Sequence, residues 1–218
     1  MPPITHLGQF GTHDFIEYWT AFRLFLAQDN PYDPERMLLL QTQLGWTAQK
    51  PLMMWNPPWL LLLLSPILWW DFGTAASLWL AVNILFIPLT IVFTFNLIKF
   101  PSRAPSDYLI AIPLACTFFP LYNSLKVGQL GGLLSLACVG GIWGIIRRRH
   151  VVAAAFVALW SIKVHLFLPL ALLLFFRSIR HRHIWRAMGP AGALLGILIF
   201  ATELIHPHAI TQWRAGIE

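Results

Sequence analysis

The sequence predicts an all-α fold, a polytopic transmembrane helical bundle, and the composition and the placement of charge are the observations behind this prediction. The 218 residues are 57% hydrophobic and only 11% charged, and their mean hydropathy is +0.64. Soluble domains carry roughly 25% charged residues, so an integral membrane protein is expected. The net charge of +6 comes largely from short basic blocks that follow apolar runs, as cytoplasmic loops do. This placement argues against nucleic acid as a partner.

The polar first part of the chain predicts a helix at the membrane surface. We expect one domain in three parts: an external loop over residues 1–50, a transmembrane helical domain over 51–206 and a C-terminal tail over 207–218. Within the loop, Phe15, Trp19, Phe22 and Leu26 recur at helical spacing, which indicates an amphipathic helix over residues 14–27. The segment QDNPYDPERM then ends this helix with Asn-Pro and Asp-Pro pairs, which form turns.

Two further segments are expected to be short or re-entrant helices. The apolar run after Pro58 is short and interrupted by Pro66, so it suits a re-entrant or interfacial helix, whereas residues 74–98 are long enough to span a bilayer. Residues 151–176 lie between the basic blocks RRRH and RSIRHRHIWR. A single span would put these blocks on opposite faces, against the positive-inside rule. We therefore expect two short helices that meet at Lys163 and His165, with a single long span as the alternative.

This topology gathers the unusual polar side chains on one face, outside the membrane. They are Asp14, Tyr18, Asn123, Gln129, Lys163 and His165. A carboxylate at a membrane surface suits general-base work on a hydroxyl, although spacing alone favours a helix cap for Asp14. A lysine inside an apolar run predicts an anionic partner such as a lipid phosphate, and snorkelling to the interface is the alternative for Lys163. Gln129 suits either a hydrogen bond between helices or a sugar contact.

The sequence predicts neither a metal nor a cofactor. It contains no clear zinc motif, phosphate-binding loop or dinucleotide-binding fingerprint. His181 and His183 lie in a basic loop, and His206 and His208 by themselves make a weak metal site.

Four segments, taken in order, resemble those of glycosyltransferase family 87, a polytopic family within the GT-C superfamily. They are HDFIEYWTAFRLFLAQDNPYDPE, NPPWLLLLLSP, NSLKVGQLGGLLSLACVGG and RRRHVVAAAFVALWSIKVHLFLPLALLLFFRSIRHRHIWR. The resemblance runs from Asp14 to Arg186 and points to polyprenol-phosphate-mannose-dependent mannosyltransferases. Members are usually longer and begin with a transmembrane helix before the aspartate loop. The resemblance therefore implies a truncated member, with residues 207–218 as a truncated tail.

The resemblance implies a defined reaction and a defined set of site residues. A sugar, expected to be mannose, would pass from a polyprenyl-phosphate donor to a hydroxyl of a lipid or glycan acceptor, with inversion at the anomeric carbon. Residues 1–50 would be a catalytic-type loop, with Asp14 as the general base. Lys163 and His165 would bind the donor phosphate. The substrate pocket would be formed by Tyr18, Asn30, Tyr32, Asn123 and Gln129.

The resemblance also implies a location, and two other functions remain open beside it. The protein would lie in the plasma (inner) membrane as a multi-pass protein, with its active face external or periplasmic. A transporter or flippase-like subunit would also use a cavity lined by Lys163 and Gln129. An inactive membrane fragment is the other alternative.

Overall fold

The structure is a computed structural model that describes residues 11–98 and 105–217. Within these ranges every regular element is helical, so the predicted all-α class is confirmed. The elements are α1 (Phe15–Leu26), α2 (Pro34–Gln43), α3 (Trp59–Leu68), α4 (Phe72–Leu97), α5 (Pro105–Cys116), α6 (Phe119–Val127), α7 (Gly131–Ile146), α8 (His150–Ala158), a 3₁₀ turn (Leu159–Lys163), α9 (Val164–Arg180), α10 (Trp185–Ile205) and α11 (Ala209–Ile217).

Length and composition mark several of these helices as membrane spans, in agreement with a polytopic protein. Helix α4 has 26 residues and α10 has 21, and both are apolar enough to cross a bilayer. Helices α5 and α6 meet at a bend of 67° and together have the length of one broken span. Helix α3 has only 10 residues, as expected of the short helix after Pro58, because a full span needs about 20 residues.

Residues 150–180 have the length and hydropathy of a further span, but the chain turns back within them. The backbone leaves the helical region at Lys163 (φ −133, ψ 75), between the 3₁₀ turn and α9. A straight helix of this length would separate its ends by roughly 45 Å. Instead, residues from both sides of the segment share one buried cluster, formed by Ile145, Ala153, Ile184 and Ala187.

The charges at the two ends of this segment lead to the same conclusion. The pKa of His183, in the loop after α9, is lowered first by desolvation and then by the positive charge of Arg148, in the loop before α8. The two basic blocks therefore lie near each other, as the positive-inside rule requires. These contacts support the predicted pair of short helices that meet at Lys163 and His165 over a straight span, although length and composition alone still allow one span over residues 150–180.

The described residues divide into two compact units. The first contains those within Met1–Val82, Asn123–Gln129 and Leu198–Glu218, and the second those within Asn83–Tyr122 and Leu130–Ile197. In the second unit, α7 packs closely on α8 and the 3₁₀ turn because its glycines leave room. A Cβ on Gly141 would lie 2.8 Å from the Trp160 ring, and one on Gly144 would lie 2.8 Å from the Ala153 backbone. The three-part division expected from the sequence stays a prediction.

Helix α1 is the centre of the first unit, and here the structure differs from the expected amphipathic surface helix. Its boundaries match the prediction, but the protein buries most of its side chains, Ile16 and Phe22 among them. The polar groups that would face water have partners inside the unit. Thr20 donates to Ile16 O at 2.7 Å, and Arg23 donates to Trp70 O, after the end of α3, at 2.7 Å. Packing against α2 and α3 therefore replaces the expected solvent-exposed face.

Candidate active site around Asp14

Asp14 immediately precedes α1, at the N-cap position, yet its carboxylate does not cap the helix. Its backbone has helical angles (φ −87, ψ −19), and its side chain makes no capping hydrogen bond. A capping residue normally has an extended backbone, which lets its side chain reach the amides one turn ahead. Helical bonding already begins before Asp14, because Ile16 N–H donates to Thr12 O at 3.3 Å. The carboxylate is consequently available for other partners.

Two side chains donate to the Asp14 carboxylate, one to each oxygen. Gln129 Nε2 donates to Oδ2 at 2.6 Å. His13 Nδ1 lies 2.7 Å from Oδ1, and it carries the proton in this contact because an ionised carboxylate only accepts. The Asp14 side chain is 19% exposed and that of His13 is 57% exposed. The site is therefore a carboxylate with fixed orientation at an accessible surface.

The backbone brings Gln129 to Asp14 across more than one hundred residues of sequence. Gly11 N–H donates to Lys126 O at 2.8 Å, and Asp14 N–H donates to Val127 O at 2.6 Å. These bonds join the segment before α1 to the end of α6. Gly128 makes the approach possible, because its φ is +83 and a Cβ there would lie 2.2 Å from Gly11 O. No other residue type fits this position without displacing the Asp14 segment.

A tryptophan of α4 also contacts the place where the segment before α1 meets the end of α6. Trp79 Nε1 donates to Gly128 O at 2.8 Å, and the Trp79 ring stacks on Phe15 with centroids 6.1 Å apart. Both aromatic side chains are fully buried. Three elements, α1, the residues after α6 and the start of α4, therefore position the carboxylate together.

His13 is a site residue that the sequence analysis did not single out. Its ring meets the Trp46 ring edge-on, with centroids 5.4 Å apart, and Trp46 is itself held by a bond from Nε1 to Lys50 O at 2.9 Å. The available signal was the adjacency of His13 and Asp14. That signal is weak, because neighbouring residues on a helix do not face each other.

Tyr18 lies one turn beyond Asp14 and is buried, with 2% exposure. Its pKa is raised well above the usual 10, first by desolvation and then by the charge of Glu17 and a hydrogen bond to it. The charge of Asp14 is a smaller cause of the same shift. Tyr18 is therefore a buried, neutral phenol close to Asp14.

Asn30 and Tyr32, also predicted as pocket residues, lie in the turn before α2 and have hydrogen-bond partners within the protein. Asn30 Oδ1 accepts from Tyr32 N–H at 2.9 Å, and Tyr32 Oη donates to Asn56 O at 2.9 Å. Burial raises the pKa of Tyr32 well above its usual value. These contacts hold the NPYDP turn in place.

The remaining predicted site residues lie in two places. Asn123 is an exposed residue of α6, in the same unit as Asp14. Lys163, which is partly exposed, and His165, which is exposed, belong to the other unit, at the break between the 3₁₀ turn and α9. A pocket that combines these two residues with Asp14 stays a prediction.

An apolar groove lies along the other end of α1. It has a volume of about 620 Å³ and is lined by Phe22, Phe25, Leu26, Leu62, Ser65, Pro66, Trp69, Trp70 and Ile205. The guanidinium of Arg23 lies at this groove, since it donates to the carbonyls of Trp69 and Trp70. No three His, Cys, Asp or Glu side chains within residues 11–98 and 105–217 form a group that could hold a metal ion.

Comparison with known proteins gives one finding. The family model described as glycosyltransferase family 87 matches residues 55–216. The match includes Gln129 and Lys163, while Asp14 precedes it. No curated protein and no solved structure matches the chain. Because the matched region covers most of the sequence, the chain belongs to glycosyltransferase family 87. The last three of the four segments lie within the match, and the first, which contains Asp14, precedes it.

Proposed function

We propose that this protein transfers a sugar, mannose in the first instance, from a polyprenyl-phosphate donor to a hydroxyl acceptor on the external face of the plasma membrane. The family supplies the class of enzyme, a glycosyltransferase. The observation that carries the rest is the Asp14 carboxylate, which two donors hold at an accessible surface beside membrane-spanning helices.

Asp14 fits the general base of this reaction. Each carboxylate oxygen accepts one hydrogen bond from the protein, and each retains a lone pair for an acceptor hydroxyl. As the hydroxyl oxygen attacks the anomeric carbon, the bond from that carbon to the phosphate oxygen breaks and the hydroxyl proton passes to Asp14. A base in this position contributes about 10²–10⁴-fold to such a rate.

The phosphate that leaves and the isoprenoid chain of the donor each need a binding site on the protein. The polyprenyl phosphate leaves with a negative charge, and a nearby cation stabilises that charge. Lys163 and His165 would provide this contact, and the break in the backbone at Lys163 supports the proposal because it presents side chains at a turn. The apolar groove on α1 suits an isoprenoid chain, since its lining is almost entirely hydrocarbon.

The sugar contacts follow from the surroundings of Asp14. Gln129 and Asn123 lie on one short segment that packs against the start of α1, so their amides suit sugar hydroxyls. Tyr18, Asn30 and Tyr32 support the pocket, because they are buried or bonded within the protein. The displacement is direct, so the product has the inverted anomeric configuration.

The donor class is tested with membranes from cells that express this chain, beside membranes from cells with an empty vector. Each preparation receives radiolabelled mannose either as polyprenyl-phosphate-mannose or as a nucleotide sugar, with the synthesis of lipid-linked sugar blocked. We expect chain-dependent transfer from the lipid-linked donor alone. Transfer from the nucleotide sugar, or movement of the intact lipid across the bilayer without transfer, would contradict the proposal; the second result would favour a flippase.

A further inference from the structure

We propose that His13 is a positioning residue for the Asp14 carboxylate. Its Nδ1–H and the Gln129 amide hold the carboxylate outward, away from the start of α1, in the orientation in which it accepts a proton. This inference rests on the proposed function and adds a residue to it.

The competing position for the carboxylate is the N-terminus of α1. The backbone amides at a helix start and the helix dipole attract a carboxylate, although two of the first amides of α1 already have backbone acceptors, Ile16 N–H on Thr12 O and Glu17 N–H on Asp14 O. Asp33 at the start of α2 adopts that position, accepting from Glu35 N–H at 2.8 Å and Arg36 N–H at 3.1 Å. A carboxylate bound in this way directs an oxygen at its own backbone, as Asp33 Oδ1 does. Asp14 instead has both oxygens on side chains from outside α1.

His13 has the properties of a residue that fixes this orientation. Its ring is more than half exposed, so it would be free to turn into solvent if nothing held it. The Trp46 ring meets it on one side and the Asp14 carboxylate meets Nδ1 on the other. Trp46 in turn is fixed through its bond to Lys50 O. This chain of contacts selects one ring orientation and one tautomer, with the proton on Nδ1.

The loss of this hydrogen bond has a defined kinetic consequence. The carboxylate would keep the Gln129 contact but would rotate about it, so fewer encounters would place a lone pair on the acceptor hydroxyl. Orientation of a reacting group affects the chemical step more than substrate binding. We therefore expect an effect on kcat with little effect on KM.

Three variants test this in the membrane assay with the lipid-linked donor. His13→Ala removes the donor, and we expect kcat to fall about 10–100-fold, since a hydrogen bond to a charged group contributes about this much. His13→Asn places an amide N–H at the position of Nδ1, and we expect kcat within about threefold of the unaltered chain, as the replacement bond is neutral and similar in length. His181→Ala, a matched change in a loop of the other unit, should leave both constants unchanged.

A spectroscopic measurement separates this inference from the proposed function. In the purified protein with ¹⁵N-labelled histidine, the His13 Nδ1–H proton should give a downfield signal that disappears in Asp14→Ala. A missing signal, or equal kcat values for His13→Ala and His13→Asn, would overturn the positioning role. If the signal is present but Asp14→Asn transfers sugar at the full rate, the role of Asp14 as base is wrong, and a positioning role for His13 is overturned with it. If the signal is present and Asp14→Asn is inactive, the kcat values of His13→Ala and His13→Asn decide whether His13 positions the carboxylate.

Discussion

Asp14 and Asp33 stand at the starts of two neighbouring helices, and the protein uses them differently. Asp33 has an extended backbone (φ −82, ψ 119), and its carboxylate caps α2. Asp14 has a helical backbone (φ −87, ψ −19), and its carboxylate caps nothing. The same residue type therefore supports structure in one place and is available for chemistry in the other. The backbone conformation makes the difference.

The local sequence explains the two conformations. Pro34 follows Asp33, and a proline disfavours the helical region for its preceding residue, which favours the extended angles that a cap requires. Phe15 follows Asp14 and imposes no such restriction. The bond from Asp14 N–H to Val127 O then anchors the segment in its helical conformation. A proline after an aspartate thus indicates a cap, and its absence leaves other roles open.

The largest expected effect comes from Gly128, where the residues after α6 approach the segment before α1. In Gly128→Ala the new Cβ would lie 2.2 Å from Gly11 O, at a φ of +83. Strain and overpacking together should cost roughly 2–5 kcal/mol of the free energy of unfolding. The Asp14–Gln129 contact should be lost, and sugar transfer with it, while Asp33 should still cap α2.

Thermal unfolding in detergent, followed by circular dichroism, measures this change beside the transfer assay. Gly192→Ala is the matched control, since a Cβ there would have no atom within 4 Å, and it should lose no stability. Wild-type stability in Gly128→Ala would mean that the two segments do not approach as closely as the structure has them.

A smaller effect distinguishes the two aspartates directly. Asp33→Ala removes two capping bonds and should lower the free energy of unfolding by about 1 kcal/mol. Asp14→Ala removes no cap but loses the bonds from His13 and Gln129, so its effect should fall on the contact with the residues after α6 and not on the first turn of α1. Amide hydrogen exchange resolves the two effects, with Asp33→Asn as the control, because asparagine caps as well as aspartate. The first-turn amides of α2 should lose protection in Asp33→Ala, whereas those of α1 should keep theirs in Asp14→Ala. A loss of first-turn protection in both alanine variants would remove the distinction.

The sequence predicted the features that depend on local pattern and on the charge rule. Helix α1, the short α3 and the break at Lys163 follow from spacing, proline and the two basic blocks. Asp14 and Gln129 were both named, and the structure brings them together.

What the sequence could not provide depends on contacts between distant segments. The approach of Gly128 to Gly11 has no local signature, so the partners of Asp14 could not be paired in advance. His13 was missed because its role depends on Trp46, which follows α2. The burial of α1 was also missed, since its apolar spacing suits a membrane surface and a protein core equally.

The most direct test of the account measures single-turnover sugar transfer from the lipid-linked donor in Asp14→Asn and in Asp33→Asn. Both changes replace one oxygen by an amide and keep the size of the side chain. We expect Asp14→Asn to be slower by about 10²–10⁴-fold, because an amide cannot accept the hydroxyl proton. We expect Asp33→Asn to keep the wild-type rate, because it still caps α2. A wild-type rate in Asp14→Asn, or an equal loss in both variants, would contradict the central claim that Asp14 is the base.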